Sequence, residues 1–370
     1  MKISSTVFIS EKIDLDTHII WFEKSNKYIV VNDVINNMLL NKLSPTKYPL
    51  DGGSIKTLKK HSNESIQDEI NNLILDCNKA IKSKEVKKIN LKNFNSEHYT
   101  KICFNDRVAK IEYENKNLKQ LIDPKFSHLS SDKKEEVTFK VFLVDKTIFL
   151  FKEDLIVGSW QFNEMHEFQG KVSMELTSFF HNKNDQDWSC VFHGSTLFKD
   201  NKSIMLTGES GSGKSSLSTL LMANDFSLIA DDFSPMSYEG LHYNFPSAIS
   251  IKEGFYQSAS KLYNNFNDLE EYYISDIKGN VKYLPPNINK TTLSSVCNIV
   301  FNVKFAQNLP NKIVEVNKGK ALNNILPDSW ISKNKKHARC FINWVKSTKF
   351  YDLTYSNNSI MIKMINKIIK

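Results

Sequence analysis

Arginine is almost missing from this chain. Of 49 basic residues, only Arg107 and Arg339 are arginine. Lysine is a hydrated point charge without the planar fork that grips phosphates in pairs. The net charge of +8 therefore describes solvated surface more than a nucleic-acid face. Cysteine is scarce as well. Cys77, Cys103, Cys190, Cys297 and Cys340 are scattered, with no C-x-x-C pair and no His/Cys metal spacing. An odd, unspaced set excludes a disulfide framework and fits reduced thiols. No run approaches the roughly 18 apolar residues that span a bilayer. The opening Met1-Lys2-Ile3-Ser4-Ser5-Thr6 lacks the apolar core of a signal peptide. The expected setting is the cytoplasm, with no membrane partner and with nucleic-acid binding not demanded by the charge. No internal repeat is visible. What remains is 41% hydrophobic and 24% charged over 370 residues, ordinary for a folded chain of two or three domains at about 100–200 residues each.

Gly208-Glu209-Ser210-Gly211-Ser212-Gly213-Lys214-Ser215 fits G-x-x-x-x-G-K-[ST], the phosphate-binding pattern. Before it, Ser203 to Thr207 is a short apolar run that reads as a buried strand. After it, Ser215 to Ala223 carries Leu217, Leu220, Leu221 and Met222, an apolar helix face. The glycines permit positive φ and close backbone approach. Loop N–H groups and the helix N-terminus then point at an anion. The nucleotide-binding set is Gly208, Ser210, Gly211, Ser212, Gly213, Lys214, Ser215 and Ser216. Lys214 would neutralise the β and γ phosphates and the Ser215 hydroxyl would hold Mg²⁺, which makes ATP and Mg²⁺ the expected cofactors.

Phe226 to Ala230 reads as a second strand that delivers Asp231-Asp232 at its C-terminal end, where open α/β sheets bind ligands. One carboxylate can hold the metal while the other takes a proton from an attacking hydroxyl. Successive side chains of an extended segment point opposite ways, so the two divide the labour unless the backbone turns between them. Upstream, Val191-Phe192-His193-Gly194 and the polar turn Lys199 to Lys202 form a hairpin that sets His193 near the same sheet. Alone, His193 reads equally as a core histidine.

The order and spacing of His193-Gly194, the loop Gly208 to Ser215 and Leu228-Ile229-Ala230-Asp231-Asp232 resemble the HPr kinase/phosphorylase catalytic domain. That family shares its nucleotide site with phosphoenolpyruvate carboxykinases. The likeness is nearest to HPr-kinase-like proteins that accompany peptide-modification clusters, some of which phosphorylate a serine of a precursor peptide. The resemblance implies an α/β fold, a P-loop kinase core with a mixed sheet. It implies Lys214, His193, Asp231 and Asp232 as catalytic residues, with Asp231 the base and Ser215 and Asp232 on the metal. It covers about the last half of the chain. After Asp232, the stretch Asn244 to Lys252 replaces the family's second signature.

The rest of the chain divides into three expected units. In 1–85, His18 to Phe22 and Lys27 to Val31 read as a hairpin. Asn32 or Asp33 caps a helix with Val34, Ile35, Met38 and Leu39, and Ser54 to Leu58 and Ser65 to Lys82 read as two more helices. This pattern resembles a PqqD-type winged helix, a small α+β domain that grips the leader of a precursor peptide. A scaffold without ligand reads equally well. Lys82 to Lys92 is a basic linker. Residues 90–180 are β-rich, with strands Val137 to Val144, Thr147 to Phe151 and Leu155 to Gln161 and a helix Lys171 to Phe180, leading into a catalytic unit 181–370. There Ala248 to Lys252, Cys297 to Lys304, Lys312 to Val316 and Phe350 to Tyr355 read as strands, and Lys318 to Ile325 as a helix. A closing helix follows a cap at Ser356 or Asn357. Tyr263 to Asn289 shows little periodicity and reads as a lid. Lys252 is a surface lysine or reaches phosphate. Arg339 is the one arginine after the loop, on a basic run.

Two functions from different classes follow. One is an ATP- and Mg²⁺-dependent kinase that phosphorylates a hydroxyl, that of a serine in a peptide or small protein. The other is a nucleotide-controlled module that binds a peptide or nucleic acid and transfers nothing. Carboxykinase decarboxylation wants more cationic side chains than this arginine-poor chain offers, and no Leu-Ser-Gly-Gly signature of an ABC ATPase follows the loop. Homo-oligomerisation stays open.

Overall fold

The computed structural model describes residues 7–44, 64–81, 86, 87, 89, 96–276, 279–289 and 292–369. At the N-terminus, strands Phe8–Asp14, Thr17–Phe22 and Lys27–Asn32 form an antiparallel sheet. Asn32 then caps helix Asp33–Leu43, its Oδ1 accepting the Ile35 N–H at 2.9 Å. A second helix spans Glu64–Cys77, shorter than the expected Ser65 to Lys82. The expected helix Ser54 to Leu58 lies outside the described residues.

The alternation of strand Thr17–Phe22 shows why its run Ile19-Ile20-Trp21-Phe22 is apolar without a break. Ile20 and Phe22 face Met38, Leu39, Leu43, Ile70 and Ile74. Ile19 and Trp21 turn the opposite way, into a cluster with Ala321, Leu322, Phe341 and Trp344 from near the C-terminus. The Asn26 side-chain amide donates to the Ile331 carbonyl at 2.7 Å, and Asp14 accepts the Lys318 N–H at 2.7 Å. The sheet is thus packed on both faces.

Residues His98–Phe104, Arg107–Tyr113, Val137–Val144, Thr147–Lys152 and Leu155–Gln161 make a five-stranded sheet in that order. The second and third strands are parallel. Their crossover holds the short helix Lys116–Gln120 and tight turns at Asp123–Lys125 and Ser127–Leu129. Helix Met165–Phe180 covers one face. It starts before the expected Lys171, because Gln161 and Glu164 form a capping box whose turn runs into it. The same core takes in Ile229 and Ala230 from the following sheet and Phe245 from the loop after strand Leu241–Tyr243.

That following sheet has ten strands and is mixed. Its neighbours run Ser227–Ala230, Ser195–Lys199, Lys202–Thr207, Ser294–Phe305, Leu241–Tyr243, Ser234–Ser237, Trp188–Phe192, Ser329–Ile331. The long strand Ser294–Phe305 branches: its second half also pairs in parallel with Lys349–Tyr355, which pairs with Lys312–Val316. Lys202–Thr207 is parallel to Ser294–Phe305 as well. Three parallel strands therefore end together near Thr207, Phe305 and Tyr355. Leu217, Leu221, Met361 and Ile365 from helices Lys214–Met222 and Asn358–Ile369 pack on one face. Helices Lys318–Ile325 and Lys335–Ser347 pack on the other. Asn357 caps the closing helix through the Ile360 N–H at 3.0 Å.

Tyr263 to Asn289 holds regular strands where the sequence shows little periodicity. Glu271–Ser275 and Gly279–Leu284 pair antiparallel, and the latter also pairs with Ile249–Lys252 in a separate three-stranded sheet. Ile249, Ile251, Phe266 and Leu284 are buried beneath it. Strands this short leave too little alternation to read. Among the described residues, no helix is long and apolar enough to cross a membrane.

Candidate functional site

The glycine loop leaves the end of strand Lys202–Thr207 and enters helix Lys214–Met222. Two of its glycines are required by geometry. Gly208 has φ +138, and a Cβ there would stand 2.8 Å from the Val303 carbonyl oxygen. Gly213 has φ +99, and its Cβ would meet Phe305 Cβ and Tyr355 Oη at 3.1 Å. The loop lies flat on the ends of the two neighbouring parallel strands. The Phe305 N–H donates to the Ser212 carbonyl at 2.9 Å, and Tyr355 Oη to the Gly213 carbonyl at 3.4 Å.

No side chain caps this helix. The first-turn N–H groups of Lys214, Ser215 and Ser216 have no intrahelical acceptor, so they present partial positive charge to the loop. Ser210 and Gly211 are exposed at the tip, and Ser215 and Ser216 half-buried at the helix start. The Ser212 Oγ is buried with no hydrogen-bond partner. Lys214 is buried, and its Nζ donates back to the carbonyls of Gly208 at 2.6 Å and Glu209 at 3.1 Å. Burial pulls its ammonium below the usual lysine range, against the opposing charges of Asp232, Asp231 and Asp328.

The acid pair leaves strand Ser227–Ala230 two strands away, at the same end of the sheet. The pair does turn between its members. Asp232 has φ +60, and the Phe233 N–H donates to the Asp231 carbonyl at 2.7 Å, a tight three-residue turn of the strained kind. Asp231 is only 3% exposed and accepts a hydrogen bond from the Ser195 hydroxyl. Burial, then the neighbouring Asp232 charge, raise its carboxyl to about 7, although Ser195, Lys125 and Lys214 pull it down. Asp232 is half-buried. The two carboxylates thus occupy unlike environments, the condition for unlike roles.

His193 is exposed beside this pair. Its Nδ1 donates to the Asp232 carbonyl at 3.3 Å, so it braces the turn and bonds neither carboxylate. It lines a small cleft with Phe192, Thr207, Gly208, Asn324, Ile325, Asp328 and Ser329.

Four groups at the site escaped the sequence reading. Ser195 touches Asp231 because its strand pairs with both the loop strand and the Asp231 strand. Asp328 comes from the turn after helix Lys318–Ile325. Tyr283 comes from the three-stranded sheet; burial, then the charge of Asp232, push its hydroxyl to about 12. Lys125 comes from the five-stranded sheet's crossover. None carries a local motif. Lys252 stands exposed at a strand end, its charge acting on Lys214. Arg339 is exposed on helix Lys335–Ser347.

Among the described residues, no three His, Cys, Asp or Glu side chains cluster to hold a metal on their own. The oxygen donors present are the Ser215 hydroxyl at the helix start and the half-buried Asp232 carboxylate, the kind of set that Mg²⁺ completes with water and phosphate oxygens.

No protein-family model and no curated protein matches the chain. Among solved structures it is similar to the Hpr(Ser) kinase/phosphatase from Coxiella burnetii. The identity is 12% and the TM-score 0.21, over 48% of this chain and 93% of that one. A likeness at that score carries no argument about chemistry, which rests on the residues themselves.

Proposed function

We propose that the chain is an ATP- and Mg²⁺-dependent phosphotransferase that phosphorylates a hydroxyl, that of a serine in a peptide or small protein. The observation that carries this reading is Asp231, a carboxylate made basic by burial, at the sheet end that also holds an uncapped helix N-terminus and Lys214. A metal-holding nucleotide switch has no use for such a group. A base works best with a pKa near the operating pH.

In the proposed reaction the acceptor oxygen attacks the γ-phosphorus and the bond to the β–γ bridging oxygen breaks. The acceptor's proton passes to Asp231, and ADP leaves with the bridging oxygen. The loop N–H groups and the Lys214 ammonium hold the phosphates, Lys214 exchanging its bonds to the loop carbonyls for phosphate oxygens. Ser195 fixes the orientation of the Asp231 carboxylate. Ser215 and Asp232 are the residues to hold Mg²⁺, which supplies charge neutralisation across the phosphates. His193 keeps the turn between the carboxylates in place. A precursor peptide is the acceptor that the motif resemblance favours.

The test is a single-turnover assay with γ-labelled ATP and serine peptides, run on the parent chain and on Asp231→Asn. Label on serine that disappears in the variant while Mg·ATP still binds supports the reading. Tight Mg·ATP binding with no labelled hydroxyl in any peptide leaves the nucleotide-controlled binding module instead.

A further inference from the structure

A transferring phosphoryl group carries charge on three oxygens, and sites that handle it place a cation opposite the loop. Here the catalytic half has no arginine for this purpose, since Arg339 is exposed on helix Lys335–Ser347. We infer that Lys125, carried in by the five-stranded sheet, supplies that cation and faces the transferred group across from the glycine loop. The inference rests on the phosphotransferase reading and adds a residue to it.

Lys125 is held at the site by its backbone. Its carbonyl accepts the Ala248 N–H at 2.8 Å, one residue before strand Ile249–Lys252. The adjacent Phe126 packs edge-on against Phe245 at 5.7 Å. Phe126 and Phe245 share a buried cluster with Ile229 and Ala230, the two residues that precede Asp231. The turn Asp123–Lys125 is thus locked to the strand that presents the acid pair.

Its side chain then stands apart from the sheet's other lysines. Lys101, Lys110 and Lys140 are half-buried and paired, to Glu135 at 2.7 Å, Glu112 at 2.6 Å and Asp154 at 2.9 Å. Lys125 is also half-buried, yet among the described residues its ammonium has no ion-pair or hydrogen-bond partner. Its charge is felt by Asp231 without a bond between them. A half-buried cation without a carboxylate of its own among the described residues, on a turn locked to the strand that presents the proposed base, is placed to take an anion that arrives with the substrates. Lys214 already serves the loop side. The opposite side is where charge develops during transfer.

The test uses the full chain with Lys125→Met, which keeps the apolar stem, and with Lys125→Arg. Mg·ATP affinity, by calorimetry, is expected to stay within about twofold in both, since loop and helix are untouched. Mg·ADP with aluminium fluoride, a mimic of the transferred group, is expected to bind the Met variant roughly tenfold to a hundredfold more weakly and the Arg variant nearly as the parent. Single-turnover transfer is expected to fall by roughly 10²–10³ in the Met variant and to recover in the Arg variant. If the Met variant binds the mimic as tightly as the parent, Lys125 does not face the transferred group and the inference fails, whatever the activity. It fails equally if the only effect is a raised KM for an acidic acceptor, because Lys125 then holds the acceptor. A parent that binds the mimic through Lys125 but labels no hydroxyl supports the inference and sinks the phosphotransferase reading instead.

Discussion

Asp352 lies inside the ten-stranded sheet, Asp231 just past the end of one of its strands, and the two lean opposite ways. Asp352, within strand Lys349–Tyr355, accepts bonds from Lys320 Nζ at 2.6 Å and Asn302 Nδ2 at 3.0 Å. Burial pushes its carboxyl up, but those donors outweigh burial and leave it below the usual carboxylate range. Asp231, past the strand end, has one neutral hydroxyl for a donor and a second carboxylate beside it, and rises to about 7. Residue type is shared; donor charge and a like-charged neighbour differ. Asp352 is satisfied by its donors, whereas Asp231 is left short of them at some expense to stability, as the proposed base would be.

The sharpest way to break this contrast is to neutralise each aspartate. Asp231→Asn is expected to slow phosphoryl transfer by about 10²–10⁴ at saturating Mg·ATP, and Asp352→Asn to leave it within about twofold. Equal losses in a single-turnover assay would mean that burial and a raised pKa do not mark the base. Next in size, Lys214→Ala should weaken Mg·ATP binding by about 10–150-fold, from the roughly 1.5–3 kcal/mol of hydrogen bonds to a charged group. Lys320→Ala, which removes an equally short lysine contact at Asp352, should leave that affinity unchanged by calorimetry.

Stability should move in the opposite sense to activity. The folded-state pKa of Asp231 is raised, so between about pH 4 and pH 7 the folded chain holds a proton that the unfolded chain has lost. Its contribution therefore falls as pH rises through that window, by up to about 1.4 kcal/mol per pH unit. Asp231→Asn should remove this slope and stabilise the chain at pH 8 by about 1–3 kcal/mol in urea unfolding. A variant less stable than the parent at pH 8 would contradict the direction given for Asp231. The smallest effect belongs to Asp352. Its folded pKa is lowered, so its contribution is present above the unfolded value near pH 4 and is lost as pH falls through the folded one. Asp352→Asn should cost under about 1 kcal/mol at pH 7, because the pair with Lys320 is partly exposed, and less as pH falls below the unfolded value.

Where the sequence was readable, the signal was local. The hairpin Thr17–Phe22 with Lys27–Asn32, the Asn32 cap, and strands Val137–Val144, Leu155–Gln161 and Lys312–Val316 appear where alternation and turn residues put them. It failed where strands are short or join distant partners. Ser234–Ser237 and Leu241–Tyr243 hold four and three residues, too few for any period. Glu271–Ser275 and Gly279–Leu284 read as a stretch without periodicity for the same reason. The two-faced burial of the N-terminal sheet was also hidden, because nothing in Ile19 or Trp21 names Leu322 or Trp344 as the cover.

By itself the sequence determined the glycine loop, its strand and helix, and the position of the acid pair at a strand end. All of these depend on residues within a few positions of one another: a φ that glycine can take, a helix N-terminus, an apolar face. Only the tertiary structure decided what the acid pair meets. Ser195 reaches Asp231 across a strand register, and the turn that carries Lys125 is tied to Ala248 by a backbone hydrogen bond and, through Phe126, to the ring of Phe245. Above all, it decided that Asp231 is buried and Asp232 half-exposed. Two identical residues side by side cannot be told apart by type. Desolvation separates them, and desolvation belongs to everything packed around a group and to no stretch of sequence alone.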